Sequence, residues 1–269
     1  MATWIDSHCH IQERYMPGEE HDQDLIEEAL VAGVTGAVCV GTDKEASDQA
    51  IDLVVKLRAR GDGFSAWATA GLHPHEASAG LEAVQQIADV IDAARVQNPG
   101  VIVAVGECGL DYYYEHSARN DQRQVFEAQI ELAKSRGLTL VVHTRNAWDD
   151  TFELLRSVGV PERTIIHCFT GGPEEATKCL DLGAYLSFSG IVTFKGAPEV
   201  REAATMCPPD RLLVETDAPF LAPVPYRGKS NRPAWVAVVG EAVADIRGDD
   251  PEMLAASTTQ AARAAFDLG

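Results

Sequence analysis

The sequence predicts a parallel (β/α)8 barrel, an α/β fold. Three observations carry that reading. Short apolar, β-branched runs alternate with helix-length segments, the alternation recurs eight times with no linker or low-complexity tract between, and no G-x-G-x-x-G follows the first run to support an open doubly wound sheet. The first strand is expected over 4–7 and the second over 36–41, followed by a helix over 43–60. The third, 64–71, leads to a helix over 81–96, and the fourth, 101–106, to a helix over 120–136. In that last helix Val125, Ala128 and Leu132 lie beside Phe126, Ile130 and Ala133, an apolar stripe that ends at Gly137, a natural C-terminal cap. Strands over 138–143, 164–168, 184–189 and 212–216 complete the set. A chain of 269 residues suits one barrel, so residues 1–269 are expected to form a single domain.

Composition narrows the function. With 22 Lys+Arg against 41 Asp+Glu the formal charge is −19, which opposes loose adsorption to nucleic acid or anionic membrane. A nucleic-acid substrate would need positive charge supplied locally. No run reaches the roughly 20 apolar residues of a membrane span, and Met1 to Asp6 carries neither the basic lead nor the apolar stretch of a secretory leader. A cytoplasmic protein is expected, with no membrane contact and no obligate protein partner. The six cysteines form no C-x-x-C pair and read as reduced core thiols.

The chemistry gathers at the strand ends. The two-residue period puts Asp6, His8 and His10 on one face of the first strand. Val101, Val103, Val105 and Glu107 form a second series in phase; Thr139, Val141 and His143 a third; Ile165 and His167 a fourth; Leu213, Glu215 and Asp217 a fifth. Each series closes on a polar group. In a barrel these ends share the C-terminal mouth, so His8, His10, Glu107, His143, His167 and Asp217 are expected to meet there. Singly, such a Glu is often a helix cap and such a His a hydrogen-bonded core residue. Together, four imidazoles and two carboxylates suit two divalent cations. Zn²⁺, Mn²⁺ or Fe²⁺ match nitrogen donors better than Mg²⁺, though Mg²⁺ stays open. Glu107 is the candidate bridge between ions about 3.5 to 4 Å apart.

These residues stand in motifs that resemble the TatD family of metal-dependent hydrolases. They are Asp6-Ser7-His8-Cys9-His10, Gly71-Leu72-His73-Pro74-His75, Gly106-Glu107-Cys108-Gly109-Leu110-Asp111-Tyr112, Val142-His143-Thr144-Arg145, Ile166-His167-Cys168-Phe169-Thr170-Gly171, Glu215-Thr216-Asp217-Ala218-Pro219 and Arg227-Gly228-Lys229-Ser230-Asn231. The resemblance spans essentially the whole chain. It implies a TIM-barrel metallohydrolase that cleaves DNA as a 3′ to 5′ exonuclease on single strands or strand ends. It further implies that His8, His10, Glu107 and Asp217 hold one metal and Glu107, His143 and His167 the other. One departure follows Asn231, where the family often carries an acidic residue or Gln and this chain has Arg232, a change expected to bear on substrate preference.

Two ions would leave such a site positive within an acidic chain, because +4 from the metals is offset by −2 from Glu107 and Asp217 and −1 from a hydroxide. The expected mechanism uses a metal-generated hydroxide, with Asp217 and Glu107 as catalytic groups and Asp217 orienting the hydroxide or taking its proton. His73, His75 and Arg145 are candidates to hold phosphate or protonate the leaving group. Alternatively the histidines serve the turn at Pro74, and Arg145 pairs with Asp149 or Asp150. The loop over 223–232 is the one basic stretch, in which Arg227 and Lys229 are expected to clamp phosphate and Tyr226 to stack on a base, unless its cations only balance the acidic body. Tyr112, Tyr113 and Tyr114 either line the mouth or pack beneath a loop. Two other readings keep the metals: an ester or amide hydrolase such as an aminoacyl-tRNA deacylase, and a non-catalytic scaffold.

Overall fold

The computed structural model describes residues 3–15 and 22–268. Eight strands run β1 (Trp4–Cys9), β2 (Val34–Val40), β3 (Ser65–Ala70), β4 (Ile102–Asp111), β5 (Thr139–Arg145), β6 (Thr164–Ile166), β7 (Tyr185–Phe188) and β8 (Leu212–Val214). Their order in the sheet is their order in the chain, and each neighbouring pair is parallel. β8 comes round to β1 just beyond its last ladder residue: the Asp217 amide donates to His8 O at 2.9 Å and the His10 amide to Ala218 O at 2.6 Å. The expected barrel is therefore the observed one. Helices α1 (Asp22–Val31), α2 (Lys44–Arg60), α3 (Gly80–Gln97), α4 (Arg119–Arg136), α5 (Trp148–Val158), α6 (Pro173–Asp181), α7 (Pro198–Met206) and α8 (Val236–Arg247) follow the strands in turn. Caps fix two of them. Asp43 accepts from the Ala46 amide at 2.7 Å to start α2, and Gly137 ends α4 with φ at +63°, a conformation that favours glycine.

A ninth helix, α9 (Pro251–Phe266), has no counterpart in the eight-fold pattern. Its Ala265 and Phe266 join Ile5, Val38, Trp67, Val141, Ile165 and Leu213 in one apolar cluster, which identifies that cluster as the barrel interior. The Thr139 hydroxyl donates to Ala265 O at 2.7 Å and pins the helix end across the opening opposite the mouth. A second, larger cluster joins the outer strand faces to the helices. Gly240 of α8 belongs to that layer because a Cβ there would overlap the Trp4 ring.

Strict alternation does not place the site residues of β4 and β1. Val103 belongs to the inner cluster but Val105 to the outer one, so they do not share the face expected of them. Thr69 pairs with Ala104 although its predecessor Ala68 pairs with Ile102, so β4 gains one residue there. It gains another further on, where Val105 and Cys108 face Leu140 and Val142. The second bulge returns Glu107 to the mouth. β1 bulges likewise between Asp6, opposite Ala37, and Cys9, opposite Cys39, and this lets His8 and His10 turn inward. Bulges re-aim side chains at barrel rims in this way.

Candidate metal centre

The six residues expected at the mouth lie within reach of one another. His8 Nε2 and His10 Nε2 are 3.2 Å apart. Glu107 Oε2 lies 3.4 Å from the first and 3.5 Å from the second, and Asp217 Oδ1 lies 3.8 and 3.5 Å from them. The other Glu107 oxygen, Oε1, faces a different pair, with His143 Nδ1 and His167 Nε2 each at 2.9 Å and 3.4 Å between the two nitrogens. The two oxygens of one carboxylate thus face two sets of donors, between which His8 lies stacked on His167 at 3.9 Å and also groups with Glu107 and His167. His73, expected as a substrate contact, stands beside the second set with Nε2 3.3 Å from Glu107 Oε1, so that His73, Glu107 and His143 form a further group of potential metal ligands.

Electrostatics show what the donors are suited to hold. Burial works against charge on Glu107 and Asp217, yet the surrounding imidazoles hold Glu107 well below the usual carboxylate range and lower Asp217 as well. Burial alone would lower His10, but Asp217 and Glu107 carry it up to about 10. Burial, then His167, pushes His8 down. The donors therefore pull positive charge into a space where some imidazoles must stay neutral. Nitrogen and carboxylate donors at this spacing fit divalent cations better than protons shared among crowded rings.

Neighbouring polar groups aim the donors. Glu215, fully buried, accepts from the Cys168 amide at 2.8 Å and faces His167 Nδ1 at 3.3 Å, so the opposite ring nitrogen points at Glu107. Asp111 Oδ2 lies 3.4 Å from His143 Nε2 and 3.0 Å from His75 Nε2. Asp6 accepts from the Thr216 amide at 2.9 Å and bonds its hydroxyl at 2.5 Å, which locks β1 to the segment before Asp217. On the buried face of α4, Gln129 bonds both Leu72 N and Leu72 O, and Gln122 bonds both Asp111 N and Asp111 O. These glutamines fix the backbone beside His73 and Tyr112. The motifs contained Glu215 and Asp111, and the in-phase series Leu213, Glu215, Asp217 was a signal for Glu215.

The chain matches the family model described as TatD related DNase over residues 5–267. It belongs to the TatD family. Among relatives of this TatD chain, YabD of Bacillus subtilis, a metal-dependent hydrolase, is 36% identical over 98% of this chain and 99% of its own length. YcfH of Escherichia coli, also a metal-dependent hydrolase, is 39% identical over 95% of this chain and 92% of its own. TatD of Salmonella typhimurium, a 3′-5′ ssDNA/RNA exonuclease, is 34% identical over 91% and 92%. The crystal structure of YjjV, a TatD homologue from Escherichia coli, superposes with a TM-score of 0.87 at 25% identity over 100% of this chain and 99% of that one. The protein is a metal-dependent hydrolase of this family.

Other residues of this TatD barrel expected to touch substrate fall in different places. Arg145 is not paired with Asp149 or Asp150. Asp150 is taken by Arg123 at 2.7 Å and by the Tyr112 hydroxyl at 2.6 Å, and the Arg145 guanidinium lies over the rings of Tyr113 and Tyr114 at 4.1 and 4.7 Å. His75 is tied to Asp111. Tyr226 stacks on Trp235 at 4.3 Å and 7°, so its ring already has an aromatic partner. Arg227 covers the Phe194 ring at 3.8 Å, and Lys229 is exposed. Arg232 pairs with Glu28 on α1 at 2.7 Å. Among the described residues no helix is long and apolar enough to cross a membrane.

Proposed function

We propose that this TatD hydrolase cleaves phosphodiester bonds of DNA, removing nucleotides from the 3′ end of a single strand or strand end. One observation carries the choice of a phosphate-bearing substrate. In a chain of net charge −19, Arg145 at the end of β5 and Arg227 and Lys229 on the loop after β8 have no carboxylate partner among the described residues. The name of the Salmonella relative, a 3′-5′ ssDNA/RNA exonuclease, points the same way.

In this reading His8, His10, Asp217 and Glu107 would hold one divalent cation, and Glu107, His143 and His167 a second. Bound there, the cations supply Lewis acidity toward the phosphate and a nucleophile at neutral pH. Asp217, held ionised, accepts the proton of the attacking water. His73, which burial pushes down to about 4, is neutral at pH 7; its Nδ1 accepts from the His75 amide, so its one N–H is on Nε2 beside Glu107 and adds no charge where the phosphate would enter. Arg145 and the 223–232 loop orient the polyanion.

Digestion of an end-labelled single strand with Mg²⁺, Mn²⁺, Zn²⁺ or chelator, resolved to single nucleotides, tests the proposal. A ladder shortening from the 3′ end, abolished by chelator, is expected. An intact strand under every ion, alongside turnover of carboxylic esters, would overturn it.

A further inference from the structure

We propose that Tyr113 and Tyr114, with the Arg145 guanidinium laid across both, form a subsite for an unstacked nucleobase next to the scissile phosphate, which makes single-stranded nucleic acid the favoured substrate. The inference rests on the nuclease reading and goes beyond it by assigning the base contact to a specific surface. Tyr113 and Tyr114 are 58% and 51% exposed and their rings meet edge to face at 4.9 Å and 86°, with the His116 ring stacked beside Tyr114 at 5.5 Å and 12°. Tyr112 differs, because it is half-buried and its hydroxyl is bound to Asp150.

The platform is tied to the metal centre. Asp111 Oδ1 accepts from the Tyr113 and Tyr114 amides, each at 2.9 Å, while Oδ2 of the same buried carboxylate faces His75 and His143. The other ring nitrogen of His143 faces Glu107. A run of ring contacts also crosses from His143 through His73 and His75 to Tyr114, at 4.8, 4.3 and 5.6 Å. The tyrosine backbone is thus one carboxylate removed from His143, on the side of the metal centre where His73 and His75 lead outward from Glu107. Aromatic faces carrying a cation but no carboxylate select a flat π-system joined to an anion, and they do so with little regard to base identity. Bases paired inside a duplex cannot present their faces.

The test compares the parent, the double variant Tyr113→Leu/Tyr114→Leu and the double variant Tyr113→Phe/Tyr114→Phe on two substrates, an oligothymidylate of about ten nucleotides and the baseless diester bis(p-nitrophenyl) phosphate. The leucine variant is expected to raise KM for the oligonucleotide about tenfold, so that the ratio of its kcat/KM to that of the diester falls about tenfold, with phenylalanine restoring the ratio. An unchanged ratio in the leucine variant overturns the proposal. Fluorescence anisotropy of the labelled oligonucleotide separates the two levels. If the parent binds it without cleaving it, the nuclease reading fails while a tenfold weaker leucine variant upholds the platform. If the parent does not bind it, both fail.

Discussion

Glu215 and His167 are joined through the far side of the imidazole: Glu215 Oε1 sits 3.3 Å from Nδ1, and Nε2 is thereby aimed at Glu107 Oε1, 2.9 Å away. A carboxylate behind a ligating histidine fixes its tautomer and raises its basicity. Glu215→Gln is expected to weaken divalent-cation affinity about 10- to 100-fold while the barrel still unfolds cooperatively. Competition against a chromophoric chelator reads this. Parent-like affinity would make Glu215 a structural residue only.

Asp6 joins β1 to Thr216 from a fully buried position, and burial pushes its carboxyl up from 3.8 to about 8 despite the opposing hydrogen bonds of Thr216. A folded value above the ordinary one means that the protonated form favours the fold. That contribution is full below about pH 4 and is lost as pH climbs through 8. In metal-free protein, Asp6→Asn should flatten this fall, and at pH 7 it should cost under about 1 kcal/mol where Asp6→Ala costs about 2 to 4 kcal/mol. Urea unfolding at pH 5 and pH 8 gives the comparison. A difference in stability between parent and Asp6→Asn that is the same at pH 5 and pH 8 would show that Asp6 is ionised in the fold.

The thiols are shielded. Burial raises Cys179 and Cys207 to about 12, so at pH 8 only about one in 10⁴ is thiolate. Neither should react with a thiol-disulfide reagent in the native protein, and both should react at once in guanidinium. Rapid native labelling of either would contradict the packing around α6 and α7.

Gly240 tests the outer layer. A methyl group there meets the Trp4 ring, so Gly240→Ala should destabilise by about 1 to 3 kcal/mol despite its better helix propensity. A stabilised variant, measured by urea midpoint, would mean that α8 can move off β1 freely.

Much of the candidate site was legible because the same polar closure recurs at five strand ends, where any one of them alone would read as a cap or a core histidine: His143 after Val141 and His167 after Ile165 keep the phase of their strands, and Asp217 follows just beyond β8. Glu107 was found by a rule that does not hold along β4. Val103 and Val105 face opposite layers, and extra residues in the strand bring the carboxylate round, a backbone irregularity that leaves no side-chain pattern. Gln122 and Gln129 were invisible for another reason. On a helix they read as solvent-facing, and only the two backbone segments they bond, at Asp111 and Leu72, reveal that they are buried. Tyr226 looked free until Trp235, nine residues on, folded against it.

The division of Glu107 between two donor sets is most directly tested by counting metal. Elemental analysis of protein saturated with Zn²⁺ or Mn²⁺ and freed of excess ion should find about two ions per parent chain and fewer than one in Glu107→Ala, whose unfolding transition remains measurable. Bare parent protein, or a Glu107→Ala variant that still holds two ions, would contradict the bridging role on which the site is built.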